Sequence, residues 1–132
     1  MECCEFIPDV ASCIINNKLS ALQKLLDSSV DVICSVDIEG RFITINAACK
    51  KLWGYEPEEL VGKHYIDLVV KGDKEATCRV ALEIMNGSET TSFENRFVRK
   101  DGSVVPVLWS ARWDADEQIM YSIAKDATEI HR

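Results

Sequence analysis

No apolar run in this chain approaches the ~20 residues that a helix needs to cross a bilayer. The opening MECCEF carries acids where a secretory leader would carry Lys or Arg. Both absences point to a cytoplasmic protein with no membrane partner. Clustered basic residues are lacking too: 15 Lys and Arg face 22 Asp and Glu, for a net charge of −7. Nucleic-acid binding rests on neutralising phosphates, so that class is excluded. Histidine is scarce, with His64 and His131 alone, and no GxSxG, HExxH or P-loop pattern occurs. Asp67 and Asp73 beside His64 come nearest to an acid–base set, and a solvated loop accounts for them equally well. The expectation is a module with no catalytic residues.

Six cysteines are present, yet without CxxC or a histidine at ligand spacing. Cys3 and Cys4 are neighbours, with Cα atoms about 3.8 Å apart, too close for ordinary disulfide geometry. Cys34, Cys49 and Cys78 fall in expected strand or helix and read as small apolar packing groups. Neither metal nor disulfide is expected. The 132 residues form one domain, enough to bury roughly two thirds of the unfolded surface without either.

The chain is organised around Val30 to Gly62. Two short β-branched runs, VDVICSVD and RFITIN, flank Asp37-Ile38-Glu39-Gly40, a hairpin turn in which Gly40 takes positive φ. Helical segments follow: AACKKLWGY, for which Asn46 is the expected N-cap, and PEELVG, opened by Pro57. Later, ENRFVRKDGSVVPVLWSARW reads as a second hairpin and IMYSIAKDATE as a last strand. Taken in order, these motifs resemble a PAS domain, a small sensory module of bacterial and eukaryotic signalling proteins, over about residues 28 to 130. Two positions depart from the family pattern: Glu56 stands where Ser or Thr often caps, and Ala127 replaces the usual Ile or Val between Asp126 and Thr128.

The resemblance implies an α+β fold, a five-stranded antiparallel sheet with short flanking helices, preceded by a tail and amphipathic helix over residues 1–27. In that helix Asp9 is an expected N-cap, although Asn16-Asn17 allows a start after residue 17. Ile15, Leu19, Leu22 and Leu26 share one face, which either packs on the domain's own sheet or pairs with a second chain as a homodimer. A long helix over about Lys74 to Asn86 carries a stripe of Ala76, Thr77, Val80, Ala81 and Ile84. In PAS domains such a helix walls a ligand pocket, making Ala76, Val80 and Ala81, with Trp53 and Tyr65, the candidate lining residues. On the middle strand, Val105, Val107, Trp109, Ala111 and Trp113 face one way, while Val104, Pro106 and Leu108 put apolar groups on the other face. That second face calls for cover, and Pro106 for a bulge or a locally unpaired strand.

Family members hold haem, flavin, small metabolites or nothing. The long helix lacks a histidine, which disfavours haem, and Tyr65 stands in place of the cysteine of flavin-adduct members. Trp53, Trp109 and Trp113 leave a noncovalent flavin, hence a redox or light sensor, as an alternative, and a pure dimerisation module with a filled core as another. The Asp126-x-Thr128 ending matches the family's signal exit. It implies a covalently linked effector, such as a histidine kinase or a cyclic-dinucleotide enzyme, and a chain that is a fragment of a larger protein.

Overall fold

The computed structural model describes residues 7–88 and 90–131. Helix α1 (Ile7–Ser28) leads into strands β1 (Val32–Val36) and β2 (Phe42–Ile45). Helices α2 (Ala48–Trp53) and α3 (Pro57–Leu60), the 3-10 turns Tyr65–Leu68 and Lys71–Asp73, and helix α4 (Lys74–Met85) follow. Strands β3 (Thr90–Val98), β4 (Val104–Asp114) and β5 (Ile119–Asp126) close the sheet, and a 3-10 turn, Thr128–His131, follows β5. The sheet is antiparallel throughout, in the order β2-β1-β5-β4-β3.

Strands β2 and β3 are therefore the two edges, and the chain joining them has to cross the whole inner face. It does so as a series of short helical pieces. Alternation along the strands sends Val32, Cys34 and Val36, then Phe97, Val105 and Val107, into the layer beneath. Trp53, fully buried, stacks on Phe97 with centroids 4.6 Å apart and lies 6.0 Å from Trp109. Such aromatic pairs contribute roughly 0.5–1.5 kcal/mol beyond their area.

Several local expectations are corrected. Helix α1 runs unbroken through Asn16-Asn17, with Asp9 inside it, because asparagine costs well under about 1 kcal/mol in a cooperative helix. Asn46 is not a side-chain cap: Ala47 is the N-cap residue of α2, and the Asp27 carboxylate accepts the Ala47 N–H at 2.9 Å. The Asn46 amide is spent elsewhere. Its Oδ1 accepts from the Ile33 N–H at 2.9 Å, and its Nδ2 donates to the carbonyls of Leu26 at 2.6 Å and Asp31 at 3.1 Å. It thus ties α1, the sheet and α2 together. At Glu56, the N-cap of α3, the backbone N–H donates to the Glu59 carboxylate at 2.8 Å, so the helix start is satisfied without Ser or Thr.

Pro106 pairs in register with Arg96, and the β3–β4 irregularity lies instead between Thr90 and Phe93. The backbone polar groups of Arg96 point away from β4, to Val70 and Asp73, so Pro106 lies at a non-hydrogen-bonded position towards β3. Towards β5 its carbonyl accepts the Ala127 N–H at 2.9 Å, and its missing donor falls just past the last ladder pair, Val107 with Asp126. No bulge is needed. Cys34 and Cys49 are buried, whereas Cys78 is exposed on α4, contrary to the packing role expected of it. Cys3 and Cys4 lie outside the described residues.

Replacing Asn46, 2% exposed, with Ala removes all three amide bonds. The expected loss of unfolding free energy is about 2–4 kcal/mol, measured by urea titration. A loss below about 1 kcal/mol would contradict the tying role.

Candidate functional site

Where the crossing segments span the sheet they leave a cavity of about 50 Å³. Cys34, Asn95, Trp109 and Ser122 face it from the strands, and Val80 and Ala81 from α4. Tyr65, at the start of its 3-10 turn, closes one side. The surface is almost wholly apolar, and its chief polar groups are engaged with one another. Trp109 Nε1 donates to Asn95 Oδ1 at 2.8 Å, Asn95 Nδ2 donates to Thr77 Oγ1 at 3.2 Å, and Thr77 Oγ1 donates to the Asp73 carbonyl at 2.7 Å. Because an indole nitrogen only donates, Trp109 dictates which way the Asn95 amide faces.

Asp73 anchors the far end of this chain. Its carboxylate accepts from Arg96 Nε at 3.0 Å, Arg96 Nη2 at 2.9 Å and the Arg96 backbone N–H at 2.9 Å. The guanidinium hydrogen bond holds the Asp73 carboxyl below the usual range. The start of α4 is thereby clamped to β3, and the cavity wall is braced from outside.

The titratable groups at the cavity shift the other way. Burial, reinforced by nearby Cys49, pushes the Cys34 thiol up to about 12. Burial, with a contribution from Cys78, pushes the Tyr65 hydroxyl up to about 12. Both are neutral at physiological pH. The indole N–H of Trp53, behind the cavity, is fully buried without an acceptor among the described residues.

A family model described as the PAS fold matches residues 20–123. The chain belongs to the PAS family. No curated protein matches it in sequence. Among solved structures, it is similar to the PAS domain of a protein from Colwellia psychrerythraea, with 24% identity, a TM-score of 0.73 and coverage of 84% of this chain and 98% of that one. It is similar to a domain of a sensory box sensor histidine kinase/response regulator from Geobacter sulfurreducens, with 22% identity, a TM-score of 0.70 and coverage of 85% and 96%. It is also similar to the PAS-B domain of Drosophila melanogaster Cycle with bound ethylene glycol, with 24% identity, a TM-score of 0.62 and coverage of 72% and 96%.

Of the candidate lining residues, Tyr65, Val80 and Ala81 meet at the cavity of this PAS domain. Trp53 lies behind it in the aromatic stack, and Ala76 is a correction: it sits on the exposed side of α4, one position from buried Thr77. Cys34, Asn95 and Ser122 were not among the candidates, although inward alternation along the strands could have found them; Trp109, named only as a flavin-stacking group, also lines the cavity. Asn95, polar between inward Phe93 and Phe97, is the clearest such signal.

At the chain's end, Asp126 Oδ1 accepts from the Thr128 N–H at 2.8 Å and from the Thr128 hydroxyl, turning β5 into the terminal 3-10 turn. Ala127 between them is fully buried. Ile15, Leu19, Leu22 and Leu26 are 55, 58, 55 and 37% exposed, so α1 does not pack on its own sheet. On the outer sheet face Val104, Tyr121 and Ile123 are also exposed.

Keeping Cys34 neutral contributes stability that is complete below the unfolded thiol's pKa, about 8.5, and is lost as pH rises from there through the folded value. Urea midpoints at pH 8 and pH 10.5 are expected to fall further apart in the wild type than in Cys34→Ala. Parallel falls would contradict the burial argument.

Proposed function

We propose that residues 28–130 act as a sensory relay: a small neutral molecule in the cavity biases the sheet and the Asp126–Thr128 exit, and the change passes to a covalently linked effector such as a histidine kinase. The observation that carries this reading is the cavity, apolar over nearly all its surface, with Asn95, Thr77 and Trp109 hydrogen-bonded to one another in its wall. A charged ligand would lie there without a counter-charge, at a cost of several kcal/mol. Flavin and haem do not fit: ligand sites for such molecules run to roughly 300–1,000 Å³, against about 50 Å³ here. Ethylene glycol, bound by the Cycle domain, has the size and neutrality this space suits.

The exposed stripe of α1 supports a homodimer in the same account. Ile15, Leu19, Leu22 and Leu26 repeat at intervals of four, three and four, the seam of a two-stranded coiled coil. Pairing two such helices would let α1 and the exit turn report on each other across protomers. The smallness of the cavity also favours a second reading, a dimerisation and relay module with a filled core and no ligand.

Native mass spectrometry and an absorption spectrum on one fresh sample separate these readings. The sensory reading expects a small noncovalent addition and no visible band. A bare mass retained in the presence of ethylene glycol favours the filled-core module, and a visible band would overturn both in favour of a chromophore. For the dimer, Leu22→Glu is expected to convert a sedimenting dimer to monomer. A monomeric wild type, or a variant that remains dimeric, removes α1 from the interface.

A further inference from the structure

Outside the inner cavity, between the β1–β2 turn, the Tyr65 turn and α4, lies a groove of about 130 Å³. Val36, Tyr65, Ala81 and Met120 line both spaces and so form the wall between them. Val36 and Ala81 are short, with little reach once their backbones are set in β1 and α4. Tyr65 and Met120 are the members with long side chains that can swing. Tyr65 is held in an unusual way. Its backbone N–H donates to the Gly40 carbonyl at 3.0 Å, and its ring lies so close to Gly40 that a Cβ there would stand 2.9 Å from Cε2. The backbone is therefore pinned and the ring cradled, but the hydroxyl has no hydrogen-bond partner among the described residues, although most of the side chain is buried. Packing alone keeps the ring where it is, and turning it out breaks no hydrogen bond.

We propose that Tyr65 gates passage between the groove and the inner cavity, and that its position sets the size of neutral molecule the domain admits. Shut, it leaves room for a molecule of a few heavy atoms. Open, it joins the two spaces, and a cavity of roughly 150 Å³ is enough for a ligand of one aromatic ring such as benzene. The inference deepens the ligand reading above and rests on it for its biological sense. Access itself is testable without any ligand.

The cysteines supply the readout. Cys34 lines the inner cavity alone, Cys78 the groove alone, and Cys49 is buried and lines neither. Labelling with methyl methanethiosulfonate, followed by peptide mass spectrometry, times access to each space separately. In Tyr65→Ala the Cys34 rate is expected to rise at least tenfold over wild type, with Cys49 unchanged, while Tyr65→Phe, which keeps the ring and loses a hydroxyl without a hydrogen-bond partner among the described residues, labels like wild type. Should Cys34 and Cys49 rise together in Tyr65→Ala, the fold has been lost, and Tyr65→Leu takes its place. A Cys34 rate that does not outrun Cys49 in either truncation overturns the gate. A positive result with no ligand found by mass spectrometry would leave the gate standing and the sensory reading failed.

Discussion

One topological constraint governs this molecule: β2 and β3 occupy opposite edges of the sheet, so the chain between them must cross its entire inner face. A single long helix would cover a stripe and leave the rest wet. The chain instead breaks into short helices and 3-10 turns, each placing a few apolar groups: Ala48, Cys49, Leu52 and Trp53, then Leu60, then Leu68 and Val69, then Ile84. Each break leaves backbone polar groups to be met. They are met by backbone bonds to the sheet, such as Phe42 N–H to Lys63 carbonyl at 3.0 Å and Val70 N–H to Arg96 carbonyl at 2.9 Å. The cavity is what this piecewise cover fails to fill.

The packing is uneven for the same reason. Near α2, Phe42, Trp53, Phe97 and Trp109 make a continuous aromatic cluster dense enough to bury the Trp53 indole N–H without an acceptor among the described residues, a cost of roughly 1–3 kcal/mol that the stacking offsets. Near α4 the residues are small or held by polar bridges, and the Asp73–Arg96 clamp with the Thr77–Asn95–Trp109 chain substitutes for bulk. Trp109 belongs to both regions. Its strand, β4, pairs with β5 up to Asp126, so the cavity wall has a short, hydrogen-bonded connection to the terminal 3-10 turn.

Strand boundaries, the Gly40 turn and Pro57 were legible because period, glycine and proline act locally. What could not be read depended on which group met which across the fold. Asn46 looks like a cap in sequence, and its three bonds reach residues 13 to 20 positions away. Pro106 looks like a ladder defect, and only the pairing partner on each side shows that its missing donor falls past the end of β5. Ala76 and Thr77 are adjacent on α4, and a helical stripe read by spacing alone does not say which lies at its edge. Among the lining residues, those on α4 followed from the stripe, while those on the strands needed the register.

The central claim is that occupancy of the cavity reaches the exit turn. Ala81→Leu fills the space from α4 without touching the sheet's own pairing, and so imitates an occupant. Amide hydrogen exchange at Ala127, whose N–H bonds the Pro106 carbonyl, then reads the exit. The account predicts that Ala127 protection changes several-fold in the variant while amides at the β1–β2 turn keep theirs. Unchanged protection at Ala127, with the fold intact, would contradict it.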